Sequence, residues 1–166
     1  MGRWSYSDRI TVEECKSINT FWLNQHNFFN GGIQIGSVIW SRGGEKRGSI
    51  GLQVSTIKGD EHVRFQYTQT DRFSGQKTEL DYKVRLVFTP CNYGGHRWWF
   101  LCPLVVNGRM CNRRVGVLYL GGDYFGCRHC YDLTYECQKE SGKFDSFFKS
   151  MGLDPKEARR ALKGSY

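Results

Sequence analysis

No stretch of this 166-residue chain approaches the run of about eighteen apolar residues that a membrane-spanning helix needs. The start of the chain also lacks the combination of a positive segment, an apolar segment and a small-residue cleavage site that marks a secretory signal. From these two absences we expect a soluble protein that is not exported and that works in the cytoplasm of a bacterium or of a phage-infected host cell. Internal repeats and low-complexity segments are absent too.

The signature motifs of several large enzyme classes are also missing. The chain has no G-x-S-x-G, no P-loop, no H-E-x-x-H and no H-x-E followed by P-C-x-x-C. Its acidic residues, such as Asp60, Glu61, Glu79 and Asp81, fall in predicted turns or on the outer faces of predicted strands. We therefore predict a protein that is not an enzyme. A nuclease built from scattered carboxylates is the enzymatic alternative.

The residues that are present favour a small folded protein. Hydrophobic residues make up 39% of the chain and aromatic residues 15%, with 20 glycines, which suits a strand-rich and turn-rich chain better than a disordered one. The length allows one ordinary domain, or a small sheet domain joined to a module that a bound metal ion stabilises. The formal net charge of +8 favours an acidic partner such as nucleic acid.

The first predicted element begins near residue 11. Thr11 is followed three positions later by Glu14, the capping-box pattern that satisfies the free amides opening a helix. An apolar stripe at helical spacing comes next: Val12, Cys15, Ile18 and Trp22. We therefore predict an N-terminal helix from about Val12. The alternative is two short helices, the second capped at Asn19 or Thr20 and ending near Phe29.

From residue 33 to residue 89 the apolar period changes from about 3.6 to about 2. Alternating apolar and polar residues predict antiparallel strands at 33–40, 50–55, 63–68 and 80–89, with turns at 42–44, 58–60 and 73–76 between them. This pattern predicts a meander of about four strands, with the helix covering its apolar face. Arg64, Lys83 and Arg85 would lie on the outer face, where solvent explains their charge without a ligand.

The cysteines carry the clearest chemical signal. Seven cysteines, an odd number, fit metal binding in a reducing compartment better than a disulfide framework. Cys127 and Cys130 form a C-x-x-C turn, whose spacing lets both sulfurs reach one ion. Cys102 and Cys111 are separated by eight residues where a zinc ribbon normally has two, but the dipeptide Asn107-Gly108 predicts a small hairpin between residues 104–106 and 109–110 that would bring them together.

We predict one structural zinc ion held by Cys102, Cys111, Cys127 and Cys130. The role is structural because four thiolates leave no open position at which the metal could activate water. A distorted site that uses Cys91 in place of Cys102 is an alternative. Cys137 and Cys15 are most simply buried small hydrophobic residues, and the ring of His129, inside the C-x-x-C turn, would normally point away from the metal.

The stretch 90–97 contains a proline, an asparagine and paired glycines and is interpreted as a linker. The predicted domains are therefore a helix plus antiparallel sheet at 1–90, a zinc ribbon at 91–137 and a C-terminal helical tail at 138–166. The predicted fold class is α+β, mainly β, with an N-terminal helix on an antiparallel meander, followed by a zinc ribbon and short C-terminal helices.

The tail is predicted to contain two helical segments. One carries an apolar stripe: Phe144, Phe147, Phe148 and Met151. The second begins at Asp154-Pro155, where an acceptor side chain at the cap precedes a proline at the first helical position. Its basic residues share one face: Lys156, Arg159, Arg160 and Lys163. That face is either solvated or a contact for nucleic acid or an acidic protein.

The cysteines also lie among cationic and aromatic residues. The arginines are Arg97, Arg109, Arg113, Arg114 and Arg128. The aromatic residues are Trp98, Trp99, Tyr119, Tyr124, Phe125 and Tyr131. Arginines contact phosphates and bases, and flat rings stack on unpaired bases. In so small a module about half of the rings should instead point into the core.

Three segments around the cysteines resemble a group of bacterial and phage or other mobile-element zinc-ribbon proteins. They are Gly94-Gly95-His96-Arg97-Trp98-Trp99-Phe100-x-Cys102-Pro103, Cys111-Asn112-Arg113-Arg114-Val115 and Tyr124-Phe125-x-Cys127-Arg128-x-Cys130. The likeness extends to residues 11–15, 22–23 and 48–51. The first knuckle of that group is a compact C-P-x-C-G, which this sequence expands. The resemblance implies the ribbon fold and the zinc, and no activity.

These observations predict a small non-enzymatic zinc-ribbon protein that binds nucleic acid, DNA or RNA, as an accessory of a phage or mobile element. The predicted contacts are the five arginines near the cysteines and the four basic residues of the tail. The alternative is an adaptor or inhibitor that docks on a larger nucleic-acid-processing complex through Phe144, Phe147 and Phe148 or through an exposed strand edge.

Overall fold

The computed structural model describes residues 9–71, 75–137, 145–154 and 157, and these residues are mostly β. The helices are α1 (Thr20–Gln25) and α2 (Asp145–Ser150). The strands are β1 (Lys16–Asn19), β2 (Ile33–Arg42), β3 (Glu45–Ser55), β4 (His62–Thr70), β5 (Lys77–Pro90), β6 (His96–Leu101), β7 (Val105–Val106), β8 (Arg109–Met110), β9 (Arg114–Val115), β10 (Val117–Leu120) and β11 (Phe125–Gly126). In the described part of the chain no helix is long and apolar enough to cross a membrane.

The predicted α+β class with a long N-terminal helix is wrong. The capping contact itself forms, because the Thr11 amide donates to Glu14 Oε2 at 2.9 Å and the Glu14 amide donates to the Thr11 carbonyl at 3.2 Å. It closes a single turn, and residues 12–15 do not continue as a helix. Strand β1 begins at Lys16 instead, because its backbone pairs with β10, about a hundred residues later in the chain.

The only helix of the predicted N-terminal pair that forms is the second one, and it is short. Asn19 is its N-cap, and Asn19 Oδ1 accepts a hydrogen bond from the Trp22 amide at 2.6 Å. The helix ends at Gln25, four residues before the predicted end. Helix α1 buries Leu23 completely, and the partly buried Trp22 packs against the same core.

The predicted meander is present and is larger than expected. Strands β2 to β6 follow one another in an antiparallel sheet that β9 completes, and this six-stranded sheet curls into a half-barrel. The period-2 prediction is confirmed in β3 and β4, where Leu52, Val54, Val63 and Phe65 are all buried. Their side chains share the inner face because directly opposed residues of neighbouring strands point to the same side of a sheet.

The stretch predicted as a linker is the turn of the β5–β6 hairpin. The Cys91 amide donates to the Gly95 carbonyl and the Gly94 amide donates to the Cys91 carbonyl, both at 3.1 Å. Gly94 and Gly95 have φ angles of 88° and 80°, which suit glycine because it has no Cβ. The boundary predicted after residue 90 therefore falls between two paired strands.

The chain divides into two compact units whose limits differ from the three predicted domains. Residues 15–131 form one unit, and residues 1–14 with 132–166 form the other. In the second unit, Thr11 and Thr134 form a parallel bridge and Arg9 pairs with Asp132 at 2.9 Å.

Of the apolar stripe predicted in the tail, Phe148 is half-buried and Met151 is 59% exposed, and Phe144 and the Phe147 side chain lie outside the described residues. Asp154 accepts from the Glu157 amide at 3.3 Å, as an N-cap would.

A second, three-stranded sheet of the 15–131 unit has the order β1-β10-β11. Strands β9 and β10 are consecutive stretches of chain separated by Gly116, and they belong to different sheets. The fully buried ring of Phe125 on β11 lies 4.9 Å from the Phe65 ring on β4 and 5.9 Å from the Tyr67 ring, measured between centroids. Phe125 therefore packs the small sheet against the large one.

Candidate metal centre and its surroundings

Four cysteine sulfurs meet at one point in the 15–131 unit. They belong to the predicted ligands, and all four Sγ atoms lie within 4.8 Å of one another: Cys102, Cys111, Cys127 and Cys130. Such a cluster could hold a metal ion. Cys102 and Cys127 are buried, and the other two are half-buried. Cys91, the alternative ligand, is exposed and lies outside the cluster. The prediction that Cys137 is a buried small hydrophobic residue is wrong, because this side chain is also exposed.

The separations between the sulfurs fit a tetrahedral site. The distances are 3.8 Å for Cys102–Cys130, 3.8 Å for Cys111–Cys127 and 3.5 Å for Cys127–Cys130. A tetrahedron with metal–sulfur bonds of about 2.3 Å has edges of about 3.8 Å. A disulfide would instead require about 2.05 Å. The four thiols are therefore spaced for one shared ion.

The first pair of ligands is brought together by the predicted hairpin, which is confirmed. Strands β7 and β8 pair, with Val106 opposite Arg109. Asn107 and Gly108 both have positive φ angles, 52° and 73°, as a two-residue turn that fits the twist of a hairpin requires. The Cys111 amide then donates to the Leu104 carbonyl at 2.9 Å. The eight-residue gap is thus an enlarged knuckle whose ends are fixed by backbone hydrogen bonds.

The second pair lies on a tight turn that packs against the first. The Cys130 amide donates to the Cys127 carbonyl at 3.1 Å, and the Cys127 amide donates to Cys102 Sγ at 3.3 Å. Gly126 makes this packing possible, because a Cβ there would lie 2.1 Å from Leu104 Cδ1 and 2.9 Å from Tyr131 Cε2. Glycine at position 126 lets the two knuckles approach closely enough to share an ion.

The thiols differ in their electrostatic surroundings. Burial raises the pKa of Cys102 to about 11, although the amides of Leu104 and Cys127 oppose that effect. Burial likewise raises the pKa of Cys130 well above its ordinary value. For Cys111, burial is outweighed by the Arg113 amide and the neighbouring thiols, so its pKa is lowered. Because metal ligation needs thiolates, a bound cation would have to supply the charge that deprotonates the buried members.

The predicted arginines lie on the surface around the cluster. Arg97 is on β6, Arg109 is on β8, and Arg113 and Arg114 follow Cys111; all four are exposed, whereas Arg128 is half-buried. Among the described residues no carboxylate lies within 4.0 Å of the four exposed guanidinium groups. Four predicted contacts in the tail lie outside the described residues: Lys156, Arg159, Arg160 and Lys163.

Positive charge is concentrated at the second knuckle. Desolvation lowers the pKa of His129, and the nearby charges of Arg113 and Arg128 lower it further. Both arginines are therefore close enough to act on the same imidazole. The surface formed by Arg113, Arg114 and Arg128, hereafter the arginine surface, is positioned by the same turns that hold Cys111 and Cys127.

The aromatic residues near the cluster divide between core and surface. Phe125 is fully buried and Tyr124 is 45% exposed, while Trp98, Trp99, Tyr119 and Tyr131 are half-buried. Burial raises the pKa of Tyr131 to about 12, and its hydroxyl donates to the Tyr124 carbonyl. Tyr131 thus acts as a structural support for the second knuckle.

One further candidate site was not predicted from the sequence. A cleft of about 520 Å³ lies beside β6 and is lined by Asn19, Thr20, Phe21, Asn24, Phe29, Cys91, His96, Arg97, Trp98, Trp99, Gly116 and Val117. These residues come from three separate stretches of chain, so no local motif announces the cleft. The density of aromatic residues at 21–29 and 96–99 was the only available signal.

No protein-family model, curated protein or solved structure matches this chain. The likeness to mobile-element zinc-ribbon proteins therefore stays a prediction. Any functional conclusion has to come from the cysteine cluster and the residues around it.

Proposed function

We propose that this chain is a non-enzymatic zinc protein that binds single-stranded nucleic acid through the arginine surface. One observation carries the proposal: four sulfurs at tetrahedral spacing belong to turns that border the exposed Arg113 and Arg114, and no carboxylate of the described residues lies within 4.0 Å of these two guanidinium groups. The metal would fix the two turns. The backbone that carries the cationic side chains would then have little freedom left to lose on binding.

Zinc is the metal that this donor set favours. Four thiolates in a tetrahedron are typical of zinc or of iron–sulfur centres, and the C-x-x-C turn that supplies two of them has the ligand spacing of structural zinc sites. With all four positions filled by protein sulfur, the ion has no position for water or substrate, so it would stabilise the fold without taking part in a reaction.

The protein purified without added metal is expected to contain one zinc per chain bound to four sulfurs. Metal analysis should give a stoichiometry near one, and X-ray absorption should give Zn–S distances of about 2.3 Å. A Cys137→Ser variant, altered outside the cluster, should give the same spectrum. Iron in the site, or a first shell with fewer than three sulfurs, would contradict the zinc assignment.

Guanidinium groups suit a phosphate partner because each offers several donors in a flat fork and keeps its charge at any relevant pH. The arginine surface is small and lies on short turns, so it fits a flexible single strand better than a rigid duplex groove. Nearby exposed rings such as Tyr124 could add stacking on unpaired bases.

Replacing Arg113 and Arg114 together by alanine is expected to weaken binding of a labelled single-stranded oligonucleotide about tenfold or more. Each phosphate contact on a single strand contributes about 0.7 to the dependence of log affinity on log salt concentration. Loss of two contacts should therefore flatten that slope by about 1.4. Fluorescence anisotropy at several salt concentrations would measure both quantities.

The matched control removes two exposed arginines from a different hairpin, Arg42 and Arg47 near the β2–β3 turn. This Arg42→Ala/Arg47→Ala chain has the same net charge as the first variant. Equal weakening in both would show attraction by net charge alone and would overturn the arginine surface as the site.

A second candidate function, a protein-interaction adaptor, is favoured by the edge of the large sheet. Strand β2 is an edge strand that pairs only with β3 in the described residues, and Ile35 and Ile39 on its outer face are 79% and 60% exposed. An unprotected apolar edge can accept a strand from another protein. Failure of the wild-type chain to bind any single-stranded oligonucleotide would favour this function.

A further inference from the structure

The cleft beside β6 lies where a β ladder comes apart. Strands β6 and β9 pair at Phe100–Val115 and Leu101–Arg114. Continued in this register, Trp99 would face Gly116 and Trp98 would face Val117, but after Gly116 the chain joins β1 in the other sheet, where Val117 lies opposite Asn19. Trp98 and Val117 both line the cleft, and they are not paired with each other in either sheet.

The direction of the backbone groups follows from the neighbouring hydrogen bonds. The Cys91 amide bonds to the Gly95 carbonyl, and hydrogen-bonded pairs recur at every second position of an antiparallel ladder. The amides and carbonyls of Arg97 and Trp99 therefore point toward β5. Those of Trp98 point to the opposite side of β6, into the gap between β6 and β10. By the same reasoning the bond from the Thr20 amide to the Gly116 carbonyl, at 2.9 Å, directs the groups of Val117 away from β1.

The walls of the cleft are aromatic and its rim is cationic. Phe21 lines the cleft and is 70% exposed. The rings of Phe29 and Trp98 stack on each other with centroids 5.1 Å apart. The guanidinium of Arg97 lies 5.7 Å from the centre of the Trp99 ring. Among the described residues, no aspartate or glutamate lines the cleft. The cleft therefore matches a flat, polar-edged ligand that carries negative charge.

We propose that this cleft binds one unpaired base of a single-stranded nucleic acid, with the base against Phe21 and its phosphate near Arg97. The inference rests on the proposed function and names a second contact for the same ligand. Backbone amides and carbonyls at the split offer the donors and acceptors that the edge of a base requires. The volume is within the range of about 300–1,000 Å³ usual for small-ligand sites.

A peptide strand is a poorer fit to the same place. Of the β6 residues, only His96 and Trp98 direct backbone groups toward this side before β9 pairing begins at Phe100. Two residues offer too short an edge for an added strand, since stable strand addition uses a longer run of main-chain hydrogen bonds. A single flat group needs only one such pair of backbone groups.

The test compares a single-stranded oligonucleotide with an abasic oligonucleotide of the same length, which keeps the phosphates and lacks the bases. Phe21→Ala is expected to weaken binding of the normal oligonucleotide about tenfold, the usual effect of losing one stacking contact. It should leave the affinity for the abasic oligonucleotide unchanged. Arg113→Ala/Arg114→Ala should weaken both. Tyr93→Ala, which removes a fully exposed ring from the β5–β6 turn, is the matched control and should change neither.

In two-dimensional amide spectra, a nucleoside monophosphate should shift the signals of Trp98 and Val117 in the wild type and much less in Phe21→Ala. If the oligonucleotide binds wild type and Phe21→Ala equally, the cleft proposal is overturned and the arginine surface stands. If the wild type binds neither probe, the proposed function fails, and the cleft proposal fails with it.

Discussion

A chain carrying Cys127→Ser is expected to lose its stoichiometric zinc and the ordered structure around it. Cys127 is fully buried, its sulfur lies 3.8 Å from that of Cys111 and 3.5 Å from that of Cys130, and its amide supports the Cys102 sulfur. Serine keeps the shape of the side chain but is a poor zinc ligand at neutral pH. The expected loss is large, because zinc contributes about 10–16 kcal/mol to the folding of small zinc domains.

The affected region should be limited to the segments that the metal joins. Strands β7, β8 and β11 are two residues long, so few backbone hydrogen bonds would hold them without the ion. Amide signals from residues 102–113 and 126–131 are therefore expected to broaden or disappear, and the melting temperature to fall. Signals from the β2–β5 meander should persist, since long backbone ladders pair its four strands with one another.

Cys91→Ser is the matched control, because this thiol is exposed and lies outside the cluster. Metal analysis, thermal melting and amide spectra should all match those of the wild type. A Cys127→Ser chain that still held one zinc with native spectra would contradict the assignment of these four ligands. Equal losses in the two variants would show that serine substitution acts through something other than the metal.

Phe125→Ala is expected to lower the free energy of unfolding of the 15–131 unit by about 3–5 kcal/mol, the usual range for a buried phenylalanine. The ring is fully buried and lies 4.9 Å from the Phe65 ring and 6.2 Å from the Trp40 ring, between centroids. Its removal would leave a cavity between the two sheets that backbone relaxation cannot close. Most small domains have only about 5–15 kcal/mol in total.

Urea denaturation followed by tryptophan fluorescence measures this effect on zinc-loaded protein. Phe21→Ala makes the same chemical change at a ring that is 70% exposed, and its loss should stay below about 1 kcal/mol. If the two variants lost similar stability, Phe125 would not be the contact that joins the sheets.

Local patterns in the sequence predicted the cysteine cluster well. The Cys127/Cys130 turn and the hairpin at Asn107-Gly108 depend on a few adjacent residues, whose spacing and backbone preferences are visible in the sequence. The same holds for strands β2 to β5, because side-chain alternation is a local signal. Each of these predictions is confirmed in the structure.

The errors arise where a distant partner decides the conformation. Thr11 and Glu14 make the contact of a helix start, yet Ile18 becomes buried in β1 because β10 offers a strand to pair with. The residues from Cys91 to Gly95 have the composition of a linker and of a hairpin turn alike, and the pairing of β5 with β6 makes them a turn. The cleft was invisible because Phe21, Trp98 and Val117 meet only after folding.

Strand β6 connects the cleft to the metal cluster. It runs from His96 to Leu101, and the next residue is the ligand Cys102, whose amide donates to the Arg113 carbonyl at 3.0 Å. A ligand that orders one end of this strand reduces the entropy still to be lost at the other end. If the cleft and the cysteine cluster bind the proposed ligands, reciprocity requires that the cleft ligand change the zinc affinity by the same factor by which zinc changes the affinity of the cleft. Four binding constants, for each ligand in the presence and in the absence of the other, would form a closed thermodynamic cycle.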